Sequence, residues 1–479
     1  MVFADLFFIY FFMPLCLLFY FFAGSIKARN AVLLAFSLIF YAWGEPVWVL
    51  MLIAYSYLNY KTGMLIGRAR KKHAPRAAHR ALMLAVIVDI GVLGIFKYSG
   101  FFVENLNALF GSSIPVPNIR LPIGISFYTF QTLSYSIDCY RGKVKVQRSF
   151  GKFLLYVSMF PQLVAGPIVR YSTIAAEIDR RKTKLKDVSE GFTRIIYGIG
   201  KKVILANSLS KVVNGCFGSR EGGYAAVGTV SALGAFFGAA AVALWYYFDF
   251  SGYSDIAIGL GRIFGFHFDE NFKHPYLCDS ITDFWRRWHI SLSSWFRDYV
   301  YIPLGGNRRG LPRQCLNIMI VWALTGFWHG ASWNFMLWGI YFGVLLLIEK
   351  LFLLEQLKKL PKAVRHLYAL FMVTIGWGIF HFDDLGALRL FFRALVCANG
   401  NPFSSVITRS ILFSNLFLLI AAVLLSLPLR NQIRRFAMRS QNTYLVCKCL
   451  SIVFNVWVLI VSSMMLLNNT NNPFLYFRF

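Results

Sequence analysis

Long apolar runs separated by short basic loops recur along the whole chain. Residues 3–23, 47–67, 81–96 and 443–467 are runs of this kind, whereas residues 68–80 hold six Lys or Arg and no acidic residue. A helix that spans a bilayer needs about 20 apolar residues. Only helices and closed barrels satisfy their backbone hydrogen bonds inside lipid. The pattern therefore predicts an all-α polytopic membrane protein with about 11 transmembrane or re-entrant helices.

The distribution of charge predicts how the chain is oriented. The 479 residues carry a net charge of +28, yet only 15% of them are charged and 57% are hydrophobic. Because the basic residues lie in short loops between apolar runs, they indicate cytoplasmic loops and contact with anionic membrane lipids, and they exclude nucleic acid as a partner. Residues 68–80 and 430–439 are predicted inside and both termini outside. The first run has no preceding basic region and is therefore predicted to be a span and not a signal peptide.

The eight cysteines indicate neither a metal site nor a disulfide framework. Most of them lie in or beside apolar runs, and no pair has the Cys-x-x-Cys spacing of a zinc site. The sequence therefore predicts no bound metal. It also contains no soluble domain, so we expect any extracytoplasmic catalytic partner to be a separate chain.

The stretch from residue 280 to residue 339 is the densest in polar and aromatic residues. Ser280 and Asp283 have the spacing of a helix-capping box, and the residues after them follow a helical period. We predict one amphipathic helix at the membrane surface. Its aromatic side would hold Phe284, Trp285, Trp288, His289, Leu292, Trp295, Phe296 and Tyr299, and its polar side Arg286, Arg287, Ser294, Arg297 and Asp298.

His329 is an ionisable residue inside an apolar run of the same stretch. Such a residue at membrane depth is costly unless it is paired or faces a polar cavity, and histidine is well suited to moving protons near neutral pH. Two interpretations remain open, a functional histidine and a neutral core histidine bound to a neighbouring helix. Gly326 and Gly330 would allow close approach of a ligand or of another backbone.

Several long motifs, in order, resemble one family. They read L-P-I-G-I-S-F-Y-T-F-Q at 121–131, P-Q-L-V-A-G-P-I-V-R at 161–170 and D-F-S-G-Y-S-D-I-A-I-G-L-G at 249–261. F-W-R-R-W-H-I-S-L-S-S-W-F-R-D-Y-V-Y-I-P-L-G-G-N-R and L-T-G-F-W-H-G-A-S-W-N-F-M-L-W-G follow. By these motifs the chain resembles the membrane-bound O-acyltransferase (MBOAT) family, and within it the membrane subunits of bacterial alginate O-acetyltransferases. Asp249 and Asp255, in the third motif, are expected to pair with nearby arginines, and a catalytic role is the alternative.

The resemblance implies a fold and an activity. It implies one integral membrane domain, residues 1–479, with helices around a central funnel or tunnel and residues 280–339 as the core catalytic segment. His329 is the expected catalytic histidine and His289 the second characteristic one. The expected activity, in the bacterial inner membrane, is O-acetylation of a cell-envelope polysaccharide or exopolysaccharide. Acetyl-CoA would be the donor substrate, no cofactor would stay bound, and an extracytoplasmic acetyltransferase-like protein would be the partner.

Alternatives remain at the level of substrate and of function class. Peptidoglycan O-acetylation and teichoic-acid D-alanylation would use the same architecture. A transporter or flippase, with the histidines as a proton relay, is the alternative outside the enzymes. The chain shows no internal repeat of the kind common in secondary transporters.

Four arginines and one tyrosine complete the set of candidate site residues. Arg286, Arg287, Arg308 and Arg309 would steer the phosphates of coenzyme A, or else would only anchor the chain at the cytoplasmic surface. Residues 468–479 form a predicted extracytoplasmic tail that contains Tyr476. The ending resembles a C-terminal motif of bacterial MBOAT proteins, which implies that Tyr476 relays the acyl group. An interfacial aromatic belt is the alternative.

Overall fold

The computed structural model describes residues 1–467, and helices are the only regular secondary structure in that range. The helices of the first half are α1 (Met13–Phe22), α2 (Ile26–Gly44), α3 (Trp48–Lys71), α4 (Pro75–Leu93), α5 (Ser99–Phe110), α6 (Ile125–Arg141), α7 (Phe150–Ser158), α8 (Phe160–Leu163), α9 (Tyr171–Asp179), α10 (Leu185–Gly200), α11 (Asn207–Phe217) and α12 (Ala232–Ile263). Those of the second half are α13 (Ile281–Arg287), α14 (Ile290–Phe296), α15 (Leu311–His329), α16 (Trp333–Ile348), α17 (Leu354–Lys359), α18 (Lys362–His381), α19 (Leu385–Leu395), α20 (Val406–Ser414), α21 (Leu416–Ser426), α22 (Leu429–Ala437) and α23 (Gln441–Leu467). Short π-helical segments adjoin several of them, at Phe8–Phe12, Gly94–Tyr98, Lys201–Ala206, Arg297–Tyr301 and Glu349–Leu353.

Within the described residues, six helical stretches are long and apolar enough to cross a membrane. They are Ile26–Gly44, Pro75–Phe110, Ala232–Ile263, Trp333–Lys359, Lys362–His381 and Gln441–Leu467. A seventh crossing results if Val406–Ser414 and Leu416–Ser426, which meet at a bend of 58°, act as one span. Large apolar side chains on these helices are exposed, as lipid contact requires. The prediction of a multi-pass, all-α membrane protein is confirmed, whereas the count of about 11 segments and the central funnel stay predictions.

The chain divides into two compact units. Among the described residues, the first unit contains residues 1–195 and 253–270, and the second contains residues 196–252 and 271–467. The core of the first unit includes a cluster of phenylalanine rings in mutual contact, namely Phe3, Phe8, Phe12, Phe40 and Phe160. The second unit contains the whole stretch 280–339 and a core rich in tryptophan.

Asp249 and Asp255 both lie in ion pairs. In the first unit, Asp255 accepts a hydrogen bond from Arg194 Nε at 2.9 Å, as expected for pairing with an arginine. In the second unit, Asp249 binds Lys202 with Nζ and Oδ1 2.5 Å apart, so its partner is a lysine. Both members of the Lys202–Asp249 pair are almost completely buried. These contacts favour the structural interpretation of the two carboxylates over a catalytic one.

The prediction of one continuous amphipathic helix after Ser280 is wrong in one respect, because the structure has two helices there with a break between them. Helix α13 ends at Arg287, and α14 begins at Ile290. Between them His289 has the left-handed backbone conformation, with φ 44° and ψ 54°. A non-glycine residue in that conformation costs about 1 kcal/mol, so neighbouring contacts must stabilise the break. The helical period of the sequence continues through residue 289 and does not indicate this break.

Candidate functional site

The first turn of α13 is capped from two sides. Ser280 Oγ accepts a hydrogen bond from the Asp283 backbone N–H at 3.0 Å, which confirms the predicted N-cap. The buried carboxylate of Glu349 accepts from the backbone N–H of Ile281 at 2.6 Å and from that of Thr282 at 2.8 Å. The first N–H groups of a helix lack partners within it, and negative charge is favourable at this end. The start of α13 is therefore fixed by a residue distant in sequence.

His289 is held at the other end of this short helix. Its side chain is buried, and Nδ1 lies 3.2 Å from Asn271 Oδ1. The same oxygen accepts from the backbone N–H of Ser291 at 3.2 Å and from Ser291 Oγ at 2.9 Å. Burial lowers the pKa of the His289 imidazole to about 3, so the ring is neutral near pH 7.

The hairpin of α15 and α16 places His329. The two helices pass so closely at Gly326 that a Cβ there would overlap the Phe335 carbonyl oxygen and lie 3.2 Å from Gly339 Cα. Gly326 was predicted to allow close approach of a ligand or backbone, and in this structure the partner is a backbone. Helix α15 ends at His329, and Gly330 follows as its C-cap. The histidine is thus the last residue of a helix held at a fixed spacing from its neighbour.

His329 is enclosed by aromatic rings. Its ring lies nearly perpendicular to those of Trp338 and Phe380, with centroids 5.0 and 5.2 Å away, and 5.0 Å from that of Trp328. Only 8% of the residue is exposed. Asn334, wholly buried on α16, donates to the Phe380 carbonyl at 3.1 Å and so connects α16 to α18. Three helices therefore build the surroundings of one imidazole.

Trp328 contacts both histidines. Its ring centroid lies 6.1 Å from that of His289 and 5.0 Å from that of His329. The second unit thus brings together the two histidines that the sequence singled out, in largely buried surroundings. Two imidazoles in a water-poor site can take a proton from a hydroxyl and return it to a leaving group, and low water content protects a reactive acyl group from hydrolysis.

The four candidate arginines lie nearer to solvent than the histidines. Arg286, Arg308 and Arg309 are exposed, whereas Arg287 is partly buried and binds Asp283 with Nε and Oδ2 2.8 Å apart. Arg308 and Arg309 lie in a glycine-rich turn, residues 301–310, which Asn317 ties to α15 through a 3.0 Å hydrogen bond to the Gly306 carbonyl. Tyr476 and the rest of the 468–479 tail lie outside the described residues.

Three residues that shape the site were missed by sequence reasoning. Asn271, Asn334 and Glu349 each contact a segment far away in the chain, and no local motif marks them. A buried polar residue flanked by apolar ones is the signal that could have found Asn334, since such a residue needs a hydrogen-bond partner.

Comparison with known proteins gives consistent matches. The model of the membrane-bound O-acyltransferase family matches residues 90–386, which include the stretch 280–339. The probable alginate O-acetylase AlgI of Azotobacter vinelandii is 41% identical, over 82% of this chain and 78% of the relative. The peptidoglycan O-acetyltransferase of Helicobacter pylori is 30% identical, over 82% and 79%. The teichoic acid D-alanyltransferase of Bacillus subtilis is 27% identical, over 52% and 67%.

Proposed function

Because the chain belongs to the membrane-bound O-acyltransferase family, we propose that it moves acetyl groups from cytoplasmic acetyl-CoA toward a polysaccharide outside the cytoplasmic membrane. It is an acyltransferase and a multi-pass membrane protein. The alginate O-acetylases share 40–42% identity with the chain, against 30% for the peptidoglycan enzyme and 27% for the D-alanyltransferases. This order supports an exopolysaccharide as the acceptor, with peptidoglycan next.

The observation that carries the proposal is the buried His329 at the end of α15, with His289 sharing Trp328 as a neighbour. In the proposed reaction His329 takes the proton of an acceptor hydroxyl. The hydroxyl oxygen then bonds to the thioester carbonyl carbon, the carbon–sulfur bond breaks, and the proton passes to the departing thiolate of coenzyme A. His289, whose ring also contacts that of Trp328, positions donor or acceptor.

The donor is proposed to approach from the cytoplasmic side. Arg308 and Arg309 are exposed on the glycine-rich turn, and Arg286 is exposed on α13. Guanidinium groups bind phosphate oxygens through paired hydrogen bonds, which suits the phosphates of coenzyme A. Arg287 contributes less directly, since it already binds Asp283.

The acceptor side is proposed to be extracytoplasmic. We place both termini outside and residues 68–80 and 430–439 inside, in the bacterial inner membrane, with about 11 segments around a central funnel. A separate acetyltransferase-like protein would receive the acetyl group there and acetylate the polymer. Tyr476, in the tail, would carry the group between the two proteins as an acetyl ester of its phenol oxygen.

The test replaces His329 by alanine in cells that make the polymer. Because general-base catalysis contributes about 10²–10⁴-fold, we expect the O-acetyl content of the polymer to fall to background at matched membrane levels of the protein. The exposed His79, on α4, gives the matched control, and its alanine variant should acetylate normally. Normal acetylation by His329→Ala would exclude His329 as the base.

A second measurement separates the enzyme from a transporter or flippase. Membranes carrying the protein are supplied with radiolabelled acetyl-CoA, and covalent label on the protein or its acceptor is counted. An acyltransferase gives label that depends on His329. A transporter moves its substrate and leaves no covalent label.

A further inference from the structure

The backbone of Ser291 fixes the orientation of the Asn271 side chain. The amide oxygen and nitrogen of an asparagine look alike in shape and are told apart by their hydrogen-bond partners. A backbone N–H can only donate, and that of Ser291 lies 3.2 Å from the side-chain atom of Asn271 facing it. This atom must therefore be the carbonyl oxygen, Oδ1, which can only accept.

The same oxygen fixes the tautomer of His289. Nδ1 of His289 lies 3.2 Å from Asn271 Oδ1, so Nδ1 must carry a proton to form this bond. A neutral imidazole has one proton, and burial keeps this ring neutral by lowering its pKa. Nε2 is then the nitrogen with the lone pair.

We propose that Asn271 is a positioning residue, which holds His289 in the Nδ1–H tautomer so that Nε2 can accept a proton or hydrogen bond from a substrate. The inference rests on the proposed function for the role of His289 in acyl transfer. The state of the ring itself follows from the contacts of Asn271. The asparagine takes the part that a carboxylate or a backbone carbonyl takes behind other functional histidines, without adding charge.

The backbone around Asn271 gives the arrangement its rigidity. The Ile290 N–H donates to the Asn271 carbonyl at 3.0 Å, and the Lys273 N–H donates to the Arg287 carbonyl at 2.9 Å. These two bonds hold the segment 271–273 beside the break between α13 and α14. They also help to stabilise the left-handed conformation of His289, which carries the imidazole toward Asn271.

The absence of charge on the Asn271 side chain matters as much as the position of its oxygen. The rings of Phe272 and Trp328 that contact His289 are uncharged, and on α13 the charges of Asp283 and Arg287 offset each other in their ion pair. A carboxylate in place of the amide would favour the imidazolium form and raise the pKa of His289. An asparagine keeps the ring neutral and still fixes its tautomer.

The first test reads the tautomer directly. Solid-state NMR of the full-length protein in lipid, with ¹⁵N-labelled histidine, distinguishes protonated from unprotonated ring nitrogens, and a His289→Asn variant identifies the signals of residue 289. We expect protonated Nδ1 and unprotonated Nε2 near pH 7. Protonated Nε2, or an imidazolium, would overturn the inference. Because this readout needs no turnover, it stands or falls independently of the proposed reaction.

The second test uses variants of Asn271. Asn271→Leu removes the acceptor, so we expect mixed tautomers at His289 and a fall in turnover of about 10–100-fold, with little change in KM for acetyl-CoA. Asn271→Asp keeps the acceptor and the Nδ1–H tautomer. Its charge should move the acid limb of the pH–rate profile to higher pH, because His289 loses its proton-accepting form at a higher pH than before.

The control is Ser294→Ala on α14, the helix that begins directly after His289. Ser294 Oγ donates to the Ser291 carbonyl at 2.9 Å, and its removal should change neither the tautomer nor the pH profile. If Asn271 had only a structural role, its variants would lower the amount of folded protein and leave the pH profile of the remaining folded protein unchanged. An Asn271→Asp profile that coincides with the wild-type profile would therefore count against the positioning role.

Discussion

The carboxylate of Glu349 and the backbone N–H of Ile281 are joined by a 2.6 Å hydrogen bond across 68 residues of sequence. The second carboxylate oxygen accepts from both the backbone N–H and the hydroxyl of Thr282. A buried residue at the end of α16 thereby fixes the start of α13, the helix that carries Arg286 and Arg287 and leads to His289. An acidic side chain that caps a helix from elsewhere in the chain does the work of a local capping residue.

Replacing Glu349 by alanine should destabilise the protein and impair turnover together. The change leaves the first N–H groups of α13 without an acceptor in a buried place, a loss of about 1–3 kcal/mol. Glu349→Gln keeps one acceptor oxygen and should lose less stability and less turnover than Glu349→Ala. Thermal unfolding in detergent and acetyl transfer from acetyl-CoA measure the two effects. Glu355→Gln, an exposed neighbour, is the control, and equal behaviour of the Glu349 and Glu355 variants would contradict the capping role.

Gly326→Ala should force α15 and α16 apart. The new methyl group would overlap a backbone oxygen of Phe335, which cannot rotate away as a side chain can. Overpacking of this kind costs about 1–3 kcal/mol and would shift the end of α15, where His329 lies. We expect a lower unfolding temperature and lower turnover. Gly91→Ala on α4, where a Cβ meets nothing within 4 Å, should be neutral, and a neutral Gly326→Ala would show that the hairpin tolerates wider spacing.

The buried pair of Lys202 and Asp249 should respond to single and double replacement differently. Asp249→Asn leaves a buried ammonium group without its carboxylate and should destabilise the protein by about 3–5 kcal/mol, whereas Lys202→Met with Asp249→Leu should lose less than either single variant. The half-exposed pair of Lys152 and Asp179, also 2.5 Å apart, is the control, and Asp179→Asn should change the unfolding temperature little. Additive effects at the buried pair would rule out coupling.

Tyr476→Phe tests the tail. The change keeps the ring and removes the hydroxyl, so an acyl relay should lose its function, whereas a residue of an interfacial belt should tolerate it. We expect the polymer to lose its acetyl groups at unchanged protein level. Tyr444→Phe, an exposed tyrosine at the start of α23, is the matched control. Full acetylation with Tyr476→Phe would reject the relay.

The long helices were accessible to sequence reasoning because their signal is local. The apolar runs at residues 47–67 and 443–467 correspond to the helices Trp48–Lys71 and Gln441–Leu467. The Ser280 cap was likewise predictable, since both of its partners lie within four residues. Where hydrophobic periodicity and capping residues determine where a helix begins and ends, the local sequence is enough to predict that helix.

The break at His289 could not be predicted from the local sequence, because it depends on contacts with a separate segment. Nothing in the period of residues 281–299 opposes a continuous helix, yet the hydrogen bonds to Asn271 favour a turn at residue 289. The two histidines could be chosen from the family motifs. Their neutral aromatic surroundings, and the asparagine behind one of them, required the tertiary structure.

The 68-residue separation between Glu349 and Ile281 also sets an order in time. A ribosome that adds about 5–20 residues per second makes Ile281 several seconds before Glu349. During that interval α13 lacks the carboxylate that caps it, and α15 and α16 are still being synthesised or inserted. Helix α13 is therefore fully capped only late in synthesis, after the hairpin of α15 and α16 that follows it in the chain. A nascent chain stalled before residue 349 would contain both histidines, yet the start of α13 would have only the cap that Ser280 provides.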